Sequence, residues 1–201
     1  KILISDYRDS MMPSHDYENK ILKAGLPEAE VFVYEYTDEK RADFLELISD
    51  VDVLLTAFIK IDETVFEKAK HLKLISINAT GYDNVDLNAA TRHQVGVCPV
   101  GEYCTRDVAE HTLALILALN KNLKAYTYDI EKRYQWRFDL PEAPDRIEEQ
   151  TLGIFGLGRI GKRVAHLAQA IGMSVIATDI AVSAEEGKKI GVEMVCPDEI
   201  F

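Results

Sequence analysis

The run Gly156-Leu157-Gly158-Arg159-Ile160-Gly161 restricts the fold of this chain more than any other six residues. Three glycines at that spacing mean little alone. Here they follow a β-like run, Thr151–Phe155, and open a helical one, Ile160–Ile171, which Gly172 stops. A second β-like run, Ser174–Thr178, ends against Asp179. A strand, a glycine turn, a helix and a strand closing on an acid make up the dinucleotide-binding pattern. Gly156 permits the tight turn, Gly158 leaves room for a pyrophosphate, and Gly161 lets helix and strand pack closely. The helix start offers unpaired N–H groups and partial positive charge to phosphate oxygens. Arg159 and Ile160 open that helix and join the glycines as candidate cofactor-binding positions. Asp179 stands 18 residues past Gly161, where a carboxylate can accept from both ribose hydroxyls. It would also repel a 2′-phosphate, so the pattern predicts NAD rather than NADP.

The preceding hundred residues alternate short β-like and helical runs. The β-like ones are Lys1–Ser5, Glu30–Tyr34, Val51–Leu55, Leu72–Asn78 and Val95–Cys98. Between them lie helical patterns over Pro13–Ala24 (ended by Gly25), Lys40–Ile48, Glu63–Ala69 and Leu87–Arg92. Such alternation predicts a parallel sheet covered on both faces. The expectation is a doubly wound α/β domain over 1–101, followed by a dinucleotide domain over 102–201. Val108–Leu123 is apolar on more than one face, so it should be a helix buried in a large core or at a subunit interface. Arg133–Glu149 reads as an irregular connection. Ser183 and Glu186 form a capping box for a helix through Lys189, and Val192–Val195 would be a third strand.

Composition narrows the partners. With 34 acidic against 23 basic residues the net charge is −11, a poor match for nucleic acid. The longest apolar run, near Leu113–Leu119, is far shorter than a membrane span. Three cysteines, Cys98, Cys104 and Cys196, are odd in number and fit no zinc spacing. They read as reduced thiols of a cytoplasmic protein, and no metal is expected. The chain opens at Lys1 inside a β-like run, so its natural start is expected to lie upstream.

Three stretches share a wider resemblance: Asn78–Leu87 (NATGYDNVDL), Val95–Leu119 (VGVCPVGEYCTRDVAEHTLALILAL) and Thr151–Asp179. Together they resemble the D-isomer-specific 2-hydroxyacid dehydrogenases. Cys98, Tyr103-Cys104-Thr105 and Val108-Ala109-Glu110-His111 are similar to the branch holding the carboxyl-terminal binding protein corepressors and their bacterial relatives. The resemblance implies a flavodoxin-like substrate domain, then a Rossmann domain, with substrate held in the cleft between them. It implies that backbone N–H groups at Thr80 and Gly81 meet the substrate carboxylate and that Tyr103 lines the same cleft. It further implies a homodimer built through the Val108–Leu123 helix.

One part of the family pattern has no counterpart. The family's catalytic Arg, Glu and His follow the dinucleotide fingerprint at a distance that falls beyond Phe201. None of His15, His71, His93, His111 and His166 matches that position. His111 is expected to serve packing. The chain therefore reads as a fragment without its Rossmann domain's last strands, and by itself inactive. The leading reading is an NAD-dependent oxidoreductase moving hydride to or from C2 of a small 2-keto or D-2-hydroxy acid. The alternative is an NAD-sensing, dimerising corepressor-like protein.

Overall fold

The computed structural model describes residues 1–10, 14–138 and 146–201. They form two compact units, Lys1–Tyr103 and Cys104–Phe201.

The first unit is built on five parallel strands: β1 (Ile2–Tyr7), β2 (Val31–Tyr36), β3 (Val53–Thr56), β4 (Leu74–Ile77) and β5 (Gly96–Pro99). Their order is β2-β1-β3-β4-β5. This is the doubly wound, flavodoxin-like order expected from the sequence. β1 lies inside the sheet, with Ile2 paired to Val31 on one side and Val53 on the other. Residues 2–6 are therefore all buried, as a strand covered on both faces must be. β2 is an edge strand and exposes Phe32 and Val33. The helices are α1 (Asp16–Gly25), α2 (Arg41–Leu47), α3 (Glu63–Lys68) and α4 (Leu87–Arg92). Leu3, Phe44, Leu54, Ile61, Phe66 and Ile75 fill the core. The expected helix began at Pro13, which lies outside the described residues. Gly25 falls inside α1, whose last turn is closed by the Leu26 N–H on the Leu22 carbonyl.

The second unit holds α5 (Thr105–Asn120), α6 (Leu123–Arg133), β6 (Thr151–Phe155), α7 (Arg159–Ala170), β7 (Ser174–Thr178), α8 (Ala184–Lys189) and β8 (Glu193–Met194). β6, β7 and β8 form a parallel sheet in that order. α7 turns Val164, Ala165 and Ala168 inward, where they pack with Ile154, Val175 and Ala177. Ser183 and Glu186 make the expected capping box, each side chain bonded to the other's backbone N–H.

Two expectations need correction here. The single helix through Leu123 is two helices, because Asn122 adopts the left-handed conformation at φ 52° and breaks the ladder. Of the two places expected for α5, the core of this chain is ruled out: only Ala109 is buried, while Leu115, Leu119 and His111 are exposed. Of the expected irregular connection, 139–145 lies outside the described residues, and Ile147–Glu149 is one turn of 3-10 helix.

Candidate functional site

The glycine turn links β6 to α7 in the second unit. Gly156 sits at φ +89°, a conformation that side chains resist. A Cβ placed on Gly161 would collide with the Gly156 carbonyl oxygen and touch Ile154. A Cβ on Gly158 would meet no heavy atom within 4 Å. The first and last glycines thus shape the turn, and the middle one faces open space. Gly158 is also the N-cap of α7, so the first-turn N–H groups of Arg159 and Ile160 follow directly. Both residues are exposed. These features fit a phosphate-bearing ligand: a bare backbone approach, a helix start and no side chain in the way.

Asp179 follows the last residue of β7 and closes the turn. Its Oδ2 accepts the Leu157 N–H at 2.6 Å, and its Oδ1 accepts those of Ala181 at 2.7 Å and Val182 at 3.1 Å. Hydrogen bonds from Ala181 and then Leu157 hold its carboxyl below the ordinary value of 3.8. A carboxylate offers about four acceptor positions. Three are occupied here, and the fourth belongs to Oδ2.

The other predicted residues lie at the carboxyl edge of the first sheet. Thr80 and Gly81 stand in the loop after β4, and Tyr103 stands in the loop after β5. The Thr80 hydroxyl donates to the Gly101 carbonyl at 2.9 Å and joins the two loops. Gly101 is at φ +81°, and Tyr103, two residues on, is 60% exposed. Two polar residues that follow Gly81, Asn84 and Asp86, serve structure. Asn84 Nδ2 donates to the Ala57 and Ile59 carbonyls, and Asp86 caps α4 by accepting the Ala89 N–H at 2.9 Å. His93 makes a carboxylate–imidazole pair with Glu63 at 2.8 Å and stacks on Phe66. Because His93 ends α4 just ahead of β5, this pair belongs to the amino edge of the sheet, opposite Thr80.

A family model described as the D-isomer specific 2-hydroxyacid dehydrogenase catalytic domain matches residues 2–195. The chain belongs to that family. It is 36% identical over 199 residues to D-3-phosphoglycerate dehydrogenase of Methanocaldococcus jannaschii, covering 97% of this chain and 35% of the relative. To glyoxylate reductase of Pyrococcus furiosus it is 31% identical over 173 residues, covering 83% of this chain and 52% of the relative. The solved D-lactate dehydrogenase of Aquifex aeolicus, complexed with NAD and lactic acid, superposes with a TM-score of 0.82 at 28% identity. That match covers all of this chain and 57% of the solved one. This family member thus spans roughly a third to a half of the curated relatives it matches.

One residue of the carboxyl edge was not singled out from the sequence. Asp6, at the end of β1, is buried. Its Oδ1 accepts the Tyr7 N–H at 2.8 Å, and its Oδ2 accepts those of Ala57 and, at 3.0 Å, Phe58. The carboxylate therefore fixes the loop after β3. The only sequence signal is an acid ending an otherwise apolar strand, which is easily read as a strand boundary.

Proposed function

We propose that this chain binds NAD(H) on its glycine turn, and that the protein it belongs to interconverts small 2-keto and D-2-hydroxy acids. The observation that carries the reading is the hydrogen bond from Leu157 to Asp179, next in sequence to a Gly158 whose Cβ position is open space. NAD(H), once held there, would supply the hydride chemistry at substrate C2. Gly158 admits the pyrophosphate against the backbone, and the N–H groups that open α7 at Arg159 and Ile160 neutralise it. Gly156 and Gly161 keep the turn in register. Asp179 takes a ribose hydroxyl on the open position of Oδ2 and disfavours a 2′-phosphate by charge. At the carboxyl edge of the first sheet, the backbone at Thr80 and Gly81 receives the substrate carboxylate. Tyr103 flanks it. No acid–base role is given to any of the five histidines.

The exposed Leu115, Leu119 and Leu123 support a homodimer formed through α5 and the start of α6. Cys98, Cys104 and Cys196 are not joined in disulfides, which suits a reducing, cytoplasmic setting. No helix among the described residues is long and apolar enough to cross a membrane. The relatives named above are dehydrogenases and reductases, so the corepressor-like alternative is not favoured.

Calorimetric titration of this chain with NAD and NADP tests the cofactor reading. NAD should bind at least about tenfold tighter, or ~1.4 kcal/mol. Equal affinities, or no binding by a folded chain, would refute it.

A further inference from the structure

A recess of about 160 Å³ opens at the carboxyl ends of β1, β3 and β4, where the strand order of the first sheet reverses. Such switch points are where doubly wound sheets receive ligands. Ser5, Asp6, His15, Glu18, Thr56 and Asn78 contribute its polar wall. Among the described residues the lining contains no Lys or Arg.

Two of these groups lack the partners that buried polar atoms normally have. Ser5 is fully buried, and its hydroxyl makes no hydrogen bond. His15 Nδ1 also makes none, and it lies 3.5 Å from a Glu18 carboxylate oxygen. Asp6, by contrast, is committed to the backbone N–H groups of Tyr7, Ala57 and Phe58. The recess thus presents a hydroxyl and an imidazole with hydrogen-bonding capacity to spare, beside two carboxylates. That is a wall for an alcohol. It is a hostile one for a phosphate or a second carboxylate, which would meet negative charge and no cation.

We infer that this recess holds the uncharged, hydroxyl-bearing tail of the substrate acid, selecting a 3-hydroxy-2-oxo acid over its phosphate ester and over a plain methyl tail. The inference rests on the reading of Thr80 and Gly81 as the carboxylate's seat. Thr80 is two residues past Asn78, which lines the recess, and so stands at most about 7 Å of chain from its wall. The alcohol oxygen accepts from Ser5 and its proton is donated to His15. A site that hydrogen-bonds a hydroxyl discriminates strongly against ligands lacking it, because its own polar groups are then left unpaired. Two of the relatives identified by sequence are named for different substrates, phosphoglycerate and glyoxylate, so family membership alone does not decide the tail.

The test is a titration of the isotope-labelled chain, with NAD present, against hydroxypyruvate, pyruvate and 3-phosphohydroxypyruvate, read by amide and imidazole chemical shifts. Hydroxypyruvate should bind at least tenfold tighter than the other two and shift both Gly81 and His15. Ser5→Ala and, independently, His15→Gln should erase that preference while pyruvate binding stays within twofold. If all three acids shift Gly81 with equal affinity and leave His15 unmoved, the recess is a structural void and only the present inference falls. If the phosphate ester binds tightest, the inference is wrong in sign. If no acid shifts Gly81, the seat at Thr80 and Gly81 falls with it.

Discussion

Asp179 ties the second strand of the dinucleotide unit to its glycine turn, its Oδ2 accepting the N–H of Leu157, 22 positions earlier, at 2.6 Å. Its other oxygen holds Ala181 and Val182, so one side chain braces the glycine turn and the loop after β7 together.

The near-isosteric change Asp179→Asn should therefore be costly. An amide has one acceptor oxygen and one donor nitrogen. Whichever way it is turned, an N–H group is left facing another N–H group. NAD affinity should fall about tenfold or more, ~1.4 kcal/mol, in a calorimetric titration. Wild-type affinity in the variant would show that the brace is dispensable.

The three glycines should not fail alike. Gly158→Val places its side chain in open space, so thermal stability should stay within about 1 kcal/mol while NAD binding is lost. Gly161→Ala drives a methyl group into the Gly156 carbonyl, and should destabilise the second unit by roughly 1–3 kcal/mol. Thermal melts paired with cofactor titration separate the two outcomes. A Gly158→Val protein that still binds NAD would reduce the motif to a turn.

Asp179 also sets a pH limit. Its folded-state pKa lies below 3.8, so its stabilising contribution is fully present above that value. The contribution is lost as pH falls through the lower folded value. NAD affinity governed by this group should be flat from neutrality to about pH 5. Carbon NMR of the Asp179 carboxyl should give a midpoint under 3.8; a midpoint at or above it would mean that the three N–H groups do not hold the anion.

Asp6→Ala should unsettle the loop after β3. The change leaves the N–H groups of Tyr7, Ala57 and Phe58 without their charged acceptor. A loss of roughly 2–3 kcal/mol in denaturant unfolding is expected, with amide exchange rising at Ala57 and Phe58. Unchanged exchange there would deny Asp6 its organising role.

Much of this was legible from residue order because the deciding forces are local. β6, β7 and α4 occupy the runs expected from hydrophobic alternation and helical period. The capping box at Ser183 needs only a partner three residues away. The break between α5 and α6 was hidden, since a left-handed Asn122 leaves no trace in hydropathy. The exposure of Leu115 and Leu119 was hidden too, because an apolar helix reads the same whether its cover is intramolecular or not. Asp6 was missed for a third reason: two of its partners, Ala57 and Phe58, are 51 and 52 positions away. The glycine turn lay at the other extreme, its geometry written into six adjacent residues.

The strand order has a consequence for synthesis. β1 pairs with both β2 and β3, so it is emplaced only after Thr56 has been made, and the five strands described for its sheet all lie before Val100. A chain emerging amino end first, and folding unit by unit, can close that sheet while the glycine turn is still inside the ribosome. Nascent β1, with five consecutive buried residues, is then the segment that a chaperone would have to shield until β3 arrives.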